Sequence, residues 1–393
     1  MPKSRSAAAL LTVALLAGVA PALAQQPDAL LLQRQRDVPK TRPWPIEWFQ
    51  PQEAVRGGSG VEARVVPQQA GDRVNRVKLE EAGQYARARG TQAFFVWHEG
   101  KVVWAEYGQG TDPEKPVNTY YMHLTPLVLL FGIAKAEGKI GSIDEPAAKY
   151  LPEWKNDDRS RITLRQLLTM SAGLEMYFDN KDPLNKNTRL FFAADSTAPA
   201  FEYPAIAPPD TEFAYNYLIP ELLGIILERA TGRRYAEYLS EKLWQPLGNS
   251  TAHVWLDRPG GRPHFNSSLF AVSRDWLNIG VLLAQGGKFG GRQVVPADWI
   301  EEMRKPSRTN PNYGMIWLGQ PHQQVRSYAK DVRYLVKSSA PYAAPDLFFL
   351  DGYGGQRVYV VPSRKLVIVR IGAPQRDDWD DSVLPNTVLA AVP

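Results

Sequence analysis

The sequence predicts an α/β fold: an antiparallel sheet flanked by helices, with an all-helical subdomain inserted into it. Three observations carry this expectation. QAFFVWHEGKVVWAEYG reads as two strands joined at Glu99-Gly100. From Leu127 to about Leu283 the apolar spacing is mostly helical. After Pro306 the chain returns to strands, RVYVVP and KLVIVRIG, joined by Pro362-Ser363-Arg364. A sheet built from both ends of the chain around a helical insertion follows from that order, with sheet parts at about 76–135 and 306–393 and the insertion at about 136–305.

The N-terminal elements come first. Lys3 and Arg5 precede the apolar run Ala7–Ala20, and Ala22-Leu23-Ala24 has the small-x-small form of a cleavage site. Residues 1–24 therefore read as a secretory signal peptide of bacterial type, cut after Ala24, which implies a periplasmic or secreted protein. Removing Lys3 and Arg5 takes the formal charge from +5 to +3. No second apolar run reaches spanning length, so no transmembrane helix is expected after cleavage. Residues 25–75 are rich in Pro, Gln, Arg and Gly, and WPIEWFQPQ reads as an extended wrap anchored by Trp44, Trp48 and Phe49.

In the body of the chain, VKLEEAGQYARA has helical spacing within 76–89, with Gly90 as its stop. ITLRQLLTMSAGL predicts a helix that starts after Thr163 and ends near Gly173. ELLGIILERATGRRYAEYLSEKLWQPLG predicts two helices separated by Thr231-Gly232, and SRDWLNIGVLLAQGG one that begins with a Ser-x-x-Trp cap and stops at paired glycines. A last helix is expected between Asp380 and Ala391.

Composition narrows the function. Apolar residues make up 44% and charged residues 22% of the 393, as in an ordinary globular enzyme-sized protein. The positive charge is spread without a Lys/Arg run, which argues against a nucleic-acid partner. The chain has no cysteine, so its core alone must stabilise it even in an oxidising compartment. The five histidines, His98, His123, His253, His264 and His322, lack metal-ligand spacing, and neither a metal nor another cofactor is expected.

The segments GIAKAEGKIGSIDEPAAKYLPEW, ITLRQLLTMSAGL, TEFAYNYLIPELLGIILERATG, DWLNIGVLLAQGGKFGGRQVVPADWI and GYGGQRVYVVPSRKLVIV follow one another in a familiar order. On these, the chain resembles the serine β-lactamases and penicillin-recognising hydrolases, in the class C-related branch that includes 6-aminohexanoate-dimer hydrolases and esterases. The resemblance implies a β-lactamase-like fold and three motifs. Ser-x-x-Lys opens the central helix, where the lysine takes the serine proton. Tyr-x-Asn shares the proton traffic, and a Lys-Thr-Gly strand, or a Gly-rich variant of it, lines the pocket.

Counted back from Gly132, the serine position falls on Tyr121 and the lysine position on Leu124, so the motif reads Tyr121-Met122-His123-Leu124. Tyr215 matches the tyrosine of the second motif, and Tyr217 stands at its asparagine. Gly352, Gly354, Gly355 and Gln356 keep the glycine pattern of the third without Lys-Thr-Gly. No intact catalytic set is therefore expected. Thr125-Pro126 reads as N-cap and first residue of the central helix, since proline deeper inside would cost about 3 kcal/mol. Ser327-Tyr328-Ala329-Lys330, the one Ser-x-x-Lys, lies after the insertion and reads as a chance match on a surface loop.

The functional expectation is a secreted protein of this family, impaired in serine acylation, that binds in an aromatic cleft lined by Met122, Tyr215, Tyr217, Gly352, Gly354 and Gly355. Its expected ligands are a small amide or ester, a peptidoglycan-type peptide, or a partner protein. The alternatives are an active esterase or amidase with a displaced nucleophile, at Thr119 or Thr125, and an accessory subunit of an active relative.

Overall fold

The structure, a computed structural model, describes residues 29–40, 43–59, 73–176, 184–330, 335–372 and 378–393. The expected signal peptide lies outside the described residues. Among them, no helix is long and apolar enough to cross a membrane.

The main sheet has six strands in the order Lys101–Tyr107, Thr91–His98, Leu366–Gly372, Gln356–Val361, Phe348–Gly352 and Trp317–Leu318, every neighbouring pair antiparallel. The first hairpin turns on Glu99 and Gly100, both at positive φ (48° and 87°). That is the backbone a two-residue hairpin loop requires, and it explains the Glu-Gly pair. The sheet is thus closed by strands from both ends of the chain. Its central strand, LVIVRIG, is buried throughout because helices cover both faces. Helix Asp275–Ala284 lies on one face, where Gly280 meets Val358 and Val367 so closely that a Cβ would sit 2.4 Å from Val367. On the other face, Tyr359 reaches the 380–382 turn ahead of helix Val383–Leu389, its hydroxyl donating to Asp381 Oδ1 at 3.0 Å. Helix Arg76–Arg87 packs there too, through a hydrogen bond between the Tyr85 hydroxyl and Asp380.

Local sequence signals account for several ends. Asn75 caps helix Arg76–Arg87 by accepting from the Lys78 amide. Thr163 and Gln166 form a reciprocal capping box on helix Leu164–Leu168. Gly232, left-handed at φ 67°, ends helix Leu218–Thr231. The helix after Ser273 begins at Asp275 with Arg274 at its N-cap and no side-chain cap.

Three expectations need correction. The 25–75 segment is not simply extended: Ala29–Asp37 is a helix, and Gln52–Val55 is a strand. The insertion is not all-helical. Ala252–Trp255 and Leu269–Ala271 join Gln52–Val55 and Val117–Asn118 in a second, four-stranded sheet. These strands of two to four residues are too short to leave a period-two signal. Finally, the central helix does not begin at Thr125-Pro126. A 3-10 turn, Tyr120–His123, runs straight into helix Leu124–Ala136. Pro126 is tolerated in the first helical turn, where backbone N–H groups have few intrahelical partners.

The turn starts from Tyr120, held at φ 53° with its amide donating to Asn118 Oδ1 at 2.8 Å. The helix that follows is apolar on all sides and passes through the core. Gly132 lies against the Trp299 indole, which donates to the Val128 carbonyl at 3.0 Å. His123 points into the core, its Nε2 2.8 Å from the Tyr235 hydroxyl, and burial pushes its pKa down to about 3.

Two outcomes follow. A Cβ at Gly132 would sit 2.2 Å from Trp299, so Gly132→Ala is expected to destabilise by about 1–3 kcal/mol through overpacking, against the roughly 1 kcal/mol gain in helix propensity; chemical denaturation reads the sign. His123 is held neutral, with a folded pKa below its unfolded value of about 6.5. Its contribution is fully present above that value and declines as pH falls towards about 3, by up to about 1.4 kcal/mol per unit. The stability difference between the wild type and His123→Gln, measured by denaturant titration from pH 7 to 4, is expected to shift in favour of the variant as pH falls.

Candidate functional site

A cleft of about 690 Å³ opens where the 3-10 turn, the loop before helix Leu218–Thr231, the end of strand Phe348–Gly352 and the N-terminal segment meet. Eleven of the twenty described residues that line it are aromatic. The volume falls within the range of small-molecule sites.

Tyr121 and Tyr215 face each other across one end, their rings edge to face with centroids 5.9 Å apart. Tyr215 also packs on Tyr313, Trp317 and Tyr328, at 5.7, 5.6 and 5.7 Å. Burial first, then the neighbouring Tyr313, Asp351, Tyr328 and Tyr121, raise its phenol well above the ordinary range, so it stays protonated. Tyr217 lies further along, its ring 5.6 Å from Phe191. Asn216, between the two tyrosines, faces away: its amide donates to the Glu175 carbonyl at 3.0 Å, and its oxygen accepts from the Leu218 amide.

Leu124 is 4% exposed and borders a crevice of only about 10 Å³ behind Tyr121, room for no more than a single water. Thr125 borders the same crevice. Thr119 is fully buried and does not line the cleft, and its hydroxyl has no hydrogen-bond partner.

Of the other expected lining residues, Gly352 takes its place in the wall, where a Cβ would sit 2.2 Å from the Thr119 carbonyl oxygen. Glycine there lets the strand end approach the 3-10 turn. Two expectations are corrected. Met122 is fully buried in the core, because the 3-10 turn directs it inward. Gly354 and Gly355 form the hairpin turn beyond the cleft, at φ 83° and 80°. Gln356 pins this turn, its amide bonded to both N–H and C=O of Gly372.

Ser327 and Lys330 are exposed, and the Ser327 hydroxyl donates to the Ala329 carbonyl at 2.9 Å. Tyr328 between them does line the cleft. Among the described residues no group of His, Asp and Glu could hold a metal ion. His264, like His123, is buried, its ring tilted 32° against Trp255 with centroids 4.1 Å apart, and its pKa is pushed to about 3.

Sequence reasoning missed the charged part of the site. Asp351 is the charged residue among the described lining residues. The Tyr328 hydroxyl and the Arg357 guanidinium both donate to it over short hydrogen bonds, and Arg326 lies 3.5 Å away. Behind it, Asp381 accepts from Arg357 Nε at 2.9 Å and Arg326 Nη1 at 2.8 Å, and from Tyr342, Tyr359 and Trp379. Burial alone would raise the Asp381 pKa, but the two guanidiniums hold it well below the usual carboxylate range. Two carboxylates and two guanidiniums form a buried, internally neutral quartet beneath one end of the cleft. Its members lie at 326, 351, 357 and 381, and no spacing in the sequence links them.

A family model described as Beta-lactamase matches residues 76–372. The 6-aminohexanoate-dimer hydrolase of Paenarthrobacter ureafaciens is 26% identical over 237 residues, 58% of this chain and 60% of that protein, so the match spans less than two thirds of the relative. Protein flp of Staphylococcus aureus (strain MW2) is 29% identical over 28% of this chain and 22% of its own length. Among solved structures, a putative 6-aminohexanoate-dimer hydrolase from Bacillus anthracis superposes with a TM-score of 0.66 at 20% identity, covering 88% of this chain and 90% of that one. A penicillin-binding protein homolog from Caulobacter crescentus does so at 0.60 and 17%, covering 83% and 97%; at these identities the likeness is one of fold. With the family match running from the Arg76 helix to the last strand of the six-stranded sheet, the chain belongs to the beta-lactamase family.

Proposed function

We propose that this beta-lactamase family member binds its ligand in the aromatic cleft and does not acylate on serine. We place it outside the cytoplasm, on the signal-like residues 1–24. One observation carries the reading. Counted back from Gly132, the positions where the family chemistry needs a nucleophile and its base fall on Tyr121, packed edge-on against Tyr215, and Leu124, a buried side chain with no amine to take a proton. A hydroxyl becomes a nucleophile at neutral pH only with a neighbouring base or cation. No Lys or Arg is among the described residues that line the cleft, and Asp351 is already engaged by Arg357 and Tyr328. The 6-aminohexanoate-dimer hydrolases among its relatives suggest a ligand bearing an amide; small esters and peptidoglycan-type peptides share that carbonyl chemistry.

Intact-mass spectrometry after exposure to a β-lactam and to a fluorophosphonate, beside an active relative, is expected to show no added mass on this protein. A stoichiometric adduct would overturn the proposal and locate the nucleophile. If slow hydrolysis of a p-nitrophenyl ester is detected, Tyr121→Phe is expected to leave its rate within about twofold. A loss of tenfold or more would make Tyr121 a catalytic residue.

A further inference from the structure

We propose that residues 29–40 and 43–50, outside the span matched by the family model, are a built wall of the cleft that sets its specificity for an uncharged amide or ester with an aryl or alkyl tail. This rests on reading the cleft as a binding site. Gln35, Val38, Trp44 and Phe49 line it from that segment.

The segment is fastened rather than laid on the surface. Arg34, 6% exposed, donates to the carbonyls of Phe192 and Ala193 at 3.2 and 3.4 Å, and to those of Gln50 and Leu256 at 3.0 and 3.2 Å. Its guanidinium also lies over the Trp255 ring at 4.9 Å. One side chain thus ties helix Ala29–Asp37 to the helix at 186–192 and to the second sheet. A planar fork of five donors suits four carbonyls in a way an ammonium does not. A seam of rings extends the attachment: Trp48 and Phe49 pack on Trp255 at 5.5 and 5.2 Å, and Phe49 on Phe270 at 5.1 Å. Strand Gln52–Val55 then pairs in register with Ala252–Trp255.

The ligand class follows from how polarity is distributed. Apart from Gln35, the N-terminal wall and the rings it packs on are apolar: Val38, Trp44, Phe49, Phe192 and Trp255. The opposite cluster, Tyr121, Tyr215, Tyr328 and Asp351, carries hydroxyls and one carboxylate whose charge Arg357 and Arg326 balance. A molecule matching both ends has an apolar tail for the wall and a neutral hydrogen-bonding group for the tyrosines.

The probe is N-phenyl-1-naphthylamine, an uncharged aryl amine whose emission rises on apolar burial, titrated into the full-length protein. Saturable one-site binding is expected. Trp44→Ala is expected to weaken it about tenfold or more, and Val38→Trp, which fills the cleft from a half-buried position, to abolish it. Arg34→Met, which keeps every lining residue but frees the segment, is expected to weaken it comparably. Near-UV circular dichroism and thermal midpoints show whether each variant is folded, and the partly exposed Val38 position keeps the test usable if the Arg34 variant is not. Absence of probe binding to the wild type overturns the site for an aryl or alkyl tail. Wild-type affinity in both Trp44→Ala and Val38→Trp overturns the wall. A fluorophosphonate adduct would instead defeat the non-acylating reading and leave this result standing.

Discussion

The Asp351–Arg357–Asp381–Arg326 quartet is the constraint on which the site depends. It joins the strand that ends at the cleft, its hairpin partner, the segment around Arg326 and the turn before the C-terminal helix. Each charge is buried, and each finds two opposite partners. A buried ion pair adds little net stability over an apolar substitute, yet deleting one partner strands the other at a cost of about 3–5 kcal/mol. Such a network fixes geometry more than it adds stability. It holds Asp351 in place, Asp351 holds the Tyr328 hydroxyl, and the backbone of Tyr328 accepts from the Tyr215 amide at 2.8 Å. The floor of the cleft is thus tied to a network in which every charge has two opposite partners.

On that floor the family's fold carries a cleft walled by tyrosines at 121, 215, 217 and 328. The 3-10 turn presents a side chain at 121 towards Tyr215, and Gly352 lets the strand end come close. What faces the cleft is ring surface. Aromatic rings contribute broad apolar contacts with offset or edge preferences.

The fold was legible where the signal was local. The Glu99-Gly100 hairpin, the Thr163–Gln166 capping box and the Gly232 stop each depend on a few adjacent residues, and the two strand pairs separated by a helical stretch were enough to place a sheet made from both chain ends. Tyr121, Tyr215 and Tyr217, singled out by position in the sequence, all line the cleft. What escaped was non-local. The inward turn of Met122 depends on Tyr120 adopting φ 53°, which Asn118 stabilises, and no helix-cap rule anticipates that conformation. The second sheet consists of fragments that pair across long sequence distances. Arg34 reads as one more charge in a polar helix until its four carbonyl acceptors are seen together.

The pairing of Thr91–His98 with Leu366–Gly372 has a consequence for how the protein is made. Arg370 and Thr91, which share a hydrogen bond, are 279 positions apart. While the chain folds, the edge of Thr91–His98 stays open until residues 366–372 arrive to pair with it. Unpaired strand edges invite foreign pairing, and contacts this distant in sequence form slowly. The helical region between, rich in local contacts, can organise first and hold the two halves of the sheet near each other. The insertion that builds one side of the cleft is then also the stretch whose local contacts bring the two ends of the chain within reach of each other.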